Sequence, residues 1–164
     1  MSLVNKMIRA AKLDVLLYEE VEKDIEATKE AFLVVLIVGL CSVIGGVGFL
    51  GAKGIIIGIV SEIIGWLLWS TIIYLIGVKI FKHTSDMGEL LRRLGFAFSP
   101  RVLSILDIIP VIGFIIFIIT LIWTLLAFVI AARQALDCGT GRAILIVILG
   151  SIPYFIIHLL WIYI

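Results

Sequence analysis

Two charges stand where the rest of the chain is apolar. Glu62 interrupts the run Ile55–Val78, and Arg101 interrupts Leu90–Ile109. If both runs are membrane helices, a rise of about 1.5 Å per residue puts each charge roughly 12 Å below the same face. The same count brings Ser42, Thr120 and Tyr154 close to this level, with His158 at roughly 9 Å. An isolated charge at such depth costs about 3 kcal/mol or more, so Glu62 and Arg101 are expected to face inward and pair, the polar neighbours completing their hydrogen bonds. Two kinds of chemistry fit such a layer. One is a structural ion pair that sets helix register; the other is a site for a proton or a substrate.

Other chemistry is sparse. The sequence holds no Ser–His–carboxylate arrangement, no HExxH, no CxxC and no P-loop. Gly46-Val47-Gly48-Phe49-Leu50-Gly51 spells GxGxxG, but no strand precedes it and no acidic residue follows at the dinucleotide-binding distance. The two histidines, His83 and His158, fall at different levels, so no metal site is expected. Cys41 and Cys138 are far apart and do not suggest a disulfide framework. No catalytic residue, no cofactor and no nucleic-acid partner is expected, and the chain does not read as an enzyme.

The elements that must hold these residues are membrane helices. The chain is 63% hydrophobic and 15% charged, with a mean hydropathy of +1.28; soluble chains carry about 45–50% apolar and about 25% charged residues. A hydrocarbon core about 30 Å thick takes roughly 20 apolar residues per helix. Residues 31–50, 55–78, 111–132 and 143–164 meet this directly. Residues 90–109 are long enough too, with a helix start at Asp86 and Glu89 and a kink expected at Pro100. The fold expected is an all-α, polytopic membrane bundle of five transmembrane helices over 31–164, preceded by a cytoplasmic or interfacial segment, 1–30.

Charge supports the fifth crossing. With a cytoplasmic amino terminus, five spans keep Lys6, Arg9, Lys12, Lys23, Lys29, Lys79, Lys82, Arg92, Arg93, Arg133 and Arg142 inside and leave Lys53 outside. The carboxyl terminus then lies outside the cell membrane. Met1–Glu30 has no apolar core of a signal peptide, so the first span is expected to act as the insertion signal. Ile8, Ala11, Val15 and Tyr18 recur at helical spacing behind Lys6, Arg9 and Lys12, the pattern of a short amphipathic helix at an anionic surface. Asp14 and Asp24 stand where they can cap short helices. Lys79, Lys82, Arg92 and Arg93 are expected at lipid headgroups, and Arg133, Asp137 and Arg142 in a cytoplasmic loop. Glycines 45, 48, 54, 58 and 65 are expected to let helices pack closely, either within one chain or between copies.

The chain resembles the Yip domain family of polytopic membrane proteins, in particular its prokaryotic relatives. The likeness runs through Leu17-Tyr18-Glu19-Glu20-Val21-Glu22 and Gly65-Trp66-Leu67-Leu68-Trp69 with Tyr74-Leu75-Ile76-Gly77. It continues through Gly88-Glu89-Leu90-Leu91-Arg92-Arg93-Leu94-Gly95-Phe96-Ala97, Pro100 and Ile109-Pro110 to Arg133-Gln134-Ala135-Leu136-Asp137 and Arg142-Ala143. The resemblance implies five membrane helices and a cytoplasmic amino terminus. The chain departs from eukaryotic members in lacking their long amino-terminal domain and Asp-Leu-Tyr-Gly-Pro-type motif, so GTPase binding is not carried over. The function expected is membrane organisation or scaffolding as an oligomer, with membrane lipids and a second copy or a related membrane protein as partners. The alternative is a small transporter, channel or lipid-handling protein built on the polar layer.

Overall fold

A computed structural model describes the backbone of residues 1–162, with the side chains of residues 1–46 and 55–152. Among the described residues every regular element is helical. Three segments are long and apolar enough to cross a membrane: Ala27–Gly46, Ile55–Ile80 and Ile112–Ala135. Tyr154, His158, Gly48 and Gly54 have side chains or surroundings outside the described residues.

The amino terminus forms two short helices, α1 (Leu3–Ala11) and α2 (Val15–Lys23). Ser2 caps α1 by accepting from Asn5 N at 3.3 Å. Leu13 then takes a left-handed backbone (φ 62°), and Asp14 caps α2 through Leu16 N at 3.0 Å. This break divides the apolar face expected to run from Ile8 to Tyr18. Val4 and Ile8 stay exposed, whereas Leu17, Tyr18 and Val21 turn into the protein core. Asp24 accepts from Glu26 N at 3.0 Å and holds the turn into the next helix.

Helical residues then run from Ala27 to Tyr74 (α3), but they cannot be straight. Twenty residues of α-helix span about 30 Å, yet a Cβ on Gly39 would lie 3.4 Å from Ile59 Cα, and one on Gly58 2.5 Å from Val43. The segment is therefore a hairpin whose arms are Ala27–Gly46 and Ile55–Ile80, the second ending in a π-helical turn, Leu75–Ile80.

The element between the hairpin and the last helices departs from a kinked crossing. Asp86 and Glu89 form a capping box, with Glu89 N donating to Asp86 at 2.8 Å and Asp86 N to Glu89 at 3.1 Å. It opens α4 (Met87–Ala97). Pro100 has no N–H to continue the α-helical ladder. Residues Ser99–Ile108 wind instead as a 3₁₀-helix of ten residues, and Ser99 Oγ donates to Phe96 O at 2.6 Å across the junction. A 3₁₀-helix rises about 2.0 Å per residue, so Leu90 to Ile108 spans roughly 32 Å. Val111 turns the chain with φ 69° into α5 (Ile112–Ala135), and α6 (Thr140–Ile162) follows.

This composite element is the centre of the bundle, packed on α3 and on α5, while α6 packs on α5 and the hairpin. Glycine makes the approach possible at two points. A Cβ on Gly95 would lie 2.7 Å from Ala31 Cβ, and one on Gly45 would overlap the Ser104 carbonyl oxygen. Gly46, next to Gly45, faces open space. Overpacking a tight contact costs about 1–3 kcal/mol. Gly45→Ala should therefore lower the stability of the detergent-solubilised protein by at least about that amount, while Gly46→Ala should not lower its thermal midpoint and should raise it slightly.

Candidate functional site

Glu62 on the second arm of α3 meets Arg101 on the 3₁₀-helix, with Oε1 and Nη1 2.6 Å apart. The Glu62 side chain is 10% exposed and that of Arg101 30%. The Arg101 guanidinium also lies 5.9 Å from the centre of the Phe98 ring. Gly65, Trp66 and Trp69 are buried on the Glu62 side of the same arm, and Trp66 Nε1 donates to Leu91 O at 3.0 Å.

The polar neighbours do not complete this pair. Ser42 hydrogen-bonds Ser104 at 3.1 Å. Thr120 donates into its own helix, to Ile116 O at 2.9 Å. What these residues share with Arg101 is a cavity of about 330 Å³.

The winding of the 3₁₀-helix builds one wall of that cavity. With three residues per turn, positions three apart lie directly above one another, and the lining residues Phe98, Arg101, Ser104 and Asp107 are spaced by three. In an α-helix each such step would turn the side chain by about 60°, and the row would disperse. The opposite wall is one face of α5: Phe117, Thr120, Leu121, Thr124, Leu125 and Phe128. Ser42 and Trp69 close the sides. Trp69 and Phe98 each pack on Phe128, with ring centres 4.9 and 5.0 Å away. Asp107, Ser104 and Thr124 are the polar lining residues that sequence reasoning missed. The signal was present in the three-residue spacing that follows Pro100, but only a 3₁₀ reading of that stretch reveals it.

On the amino-terminal side, two of the four cations expected at headgroups are taken up by the protein. Arg92 donates to Val21 O at 3.1 Å and Glu22 O at 2.6 Å; Arg93 donates to Tyr18 O at 3.0 Å and pairs with the Glu22 carboxylate. Val21 and Glu22 are in the last turn of α2, whose carbonyls have no helical partners. The two arginines thus cap α2 from a neighbouring helix, and Arg93 is 1% exposed. Lys79 and Lys82 remain exposed, Lys79 lying 5.7 Å from the Tyr74 ring centre. Arg133 donates to Thr140 at 3.3 Å, and Asp137 and Arg142 are exposed. Trp123 Nε1 donates to Ala11 O at 2.7 Å, which ties α1 to α5.

Arg9 clamps α1 to α2 through Asp14 at 2.6 Å and Glu20 at 2.7 Å. Its hydrogen bonds hold both carboxyls below their ordinary values of 3.8 and 4.5, while burial pushes the Tyr18 phenol up. A depressed carboxyl stabilises fully above its ordinary value and loses that contribution as pH falls through the depressed one. The protection factors of α1 amides, exchange measured relative to the intrinsic rate at each pH, should accordingly hold down to the range between 4.5 and 3.8 and fall below it.

The Yip1 domain model matches residues 27–164, from the start of the hairpin to the end of the chain. The chain belongs to the Yip1 domain family. No curated protein and no solved structure matches it. The matched residues contain every residue of the cavity, whereas α1 and α2 precede them. Among the described residues of this Yip1 domain, no group of three His, Cys, Asp or Glu comes together to hold a metal.

Removing one partner of a buried pair strands the other charge. Because Arg101 is partly exposed, Glu62→Gln and Arg101→Gln should each cost about 1–3 kcal/mol. The double variant should regain part of the loss, as a double-mutant cycle by reversible unfolding in micelles would show.

Proposed function

We propose that this Yip1-family chain is a five-crossing protein of the cell membrane that binds a membrane amphiphile in the cavity between the 3₁₀-helix and α5. The single observation that carries the reading is a ligand-sized cavity, about 330 Å³, with polar groups at fixed points on largely apolar walls. Pockets for small molecules are concave and apolar with a few oriented polar groups, and begin near about 300 Å³.

Length and charge support five crossings. Leu90–Ile108 reaches roughly 32 Å, enough for the hydrocarbon core, and α6 has 23 residues. This order keeps Arg133 and Arg142 on the cytoplasmic side with the amino terminus and puts the carboxyl terminus outside. In a background of Cys41→Ser and Cys138→Ser, a cysteine at position 137 should react with impermeant reagents from the cytoplasm and one at position 53 from outside.

Scaffolding through the glycine hairpin is less well supported. Gly45 faces Ser104 and Gly58 faces Val43, so both serve contacts within the chain. Association with a second copy would have to use surfaces other than these two glycines.

Native mass spectrometry of protein extracted with its lipids tests the binding reading. Wild type should carry one amphiphile per chain, and Thr120→Phe, which fills the cavity, should lose it while keeping its thermal midpoint. Equal retention by both proteins, or none by wild type, would refute the proposal.

A further inference from the structure

The cavity has an unbalanced charge. Arg101 is already paired with Glu62, so that couple is formally neutral. Asp107 adds a carboxylate, and its Oδ1 is buried without a hydrogen-bond partner. On the facing wall, the Thr124 hydroxyl is likewise buried and unpartnered, in a residue that is 6% exposed. Polar atoms in a dry interior are costly unless a partner satisfies them. Both residues line the same cavity, Asp107 at the end beside Gly113 and Thr124 about 16 Å further along α5.

We propose that the amphiphile bound here carries a protonated amine, whose N–H groups bond Asp107 while its chain lies along the apolar walls toward Thr124 and Phe128. This rests on the amphiphile reading above and names the ligand's chemical class. An ammonium supplies both the missing positive charge and the missing donor at Asp107. An anionic head is disfavoured, because the cation that would receive it, Arg101, is held by Glu62 and Asp107 would repel it. A bare divalent cation is disfavoured as well. Calcium needs about six to eight oxygen ligands, and Asp107 is the single carboxylate of the lining.

The test uses full-length protein in uncharged maltoside micelles near neutral pH. Three probes of one chain length, an alkyl amine, alcohol and carboxylic acid brominated at the chain end, are titrated while tryptophan quenching is followed. Trp69→Phe identifies the cavity signal. The amine should quench saturably and at least tenfold more tightly than the alcohol or acid. Asp107→Asn should weaken amine binding tenfold or more, and Asp107→Glu should retain it. Alcohol or acid bound as tightly as the amine, or amine binding indifferent to Asp107→Asn, would overturn the amine assignment and leave the cavity reading intact. Saturable quenching by none of the three would overturn both. Should Asp107→Asn fail to fold, the ranking of the three probes on wild type decides the matter alone.

Discussion

In hydrocarbon no water is available to bond a free amide or carbonyl, so a crossing segment must satisfy its own backbone. In the central element, proposed above as a crossing, Pro100 breaks that closure, because it has no donor for the α-helical ladder. The chain answers by changing winding rather than by bending. Bonds to the third residue back replace bonds to the fourth, and Ser99 covers the Phe96 carbonyl at the seam. Three properties follow from this one substitution of helix type. The segment gains length, its polar residues fall into a row, and its narrower body lets Gly45 come against the Ser104 carbonyl.

The other half of the central element is held by the amino-terminal helices. Two adjacent guanidiniums on α4 reach the open carbonyls of α2, and the Glu22 carboxylate answers the more buried of them. Hydrogen bonds to charged donors are the stronger kind. The link fixes the short helices outside the Yip1 match to the element that lines the cavity, with Trp123 making a second tie from α5 to α1.

Much of this architecture is readable from residue types. Apolar runs mark the hairpin arms and α5, and the Asp86–Glu89 spacing marks the start of α4. Glu62 and Arg101 stand out because charge is expensive in lipid. The cavity is not readable in the same way. A α-helical wheel scatters Phe98, Arg101, Ser104 and Asp107, so Asp107 looks like an ordinary polar residue near a helix end. The cation bias has a similar blind spot. It assigns Arg92 and Arg93 to a side of the membrane but cannot distinguish an arginine facing phosphate from one inserted into a neighbouring helix. Glycine spacing, in turn, reports close packing without saying whether the partner helix belongs to the same chain.

The 3₁₀ winding also couples axial length to facing. Ten residues at about 2.0 Å rewound at about 1.5 Å would shorten by roughly 5 Å. The same rewinding would turn each third residue about 60° past the one before it, so that Arg101 and Asp107 could no longer point the same way. The segment therefore acts geometrically as a screw thread: its pitch sets both how far it reaches and which residues it presents. In the crossing proposed for this segment, a membrane of different thickness acts on the first of these quantities, and through the thread it acts on the second.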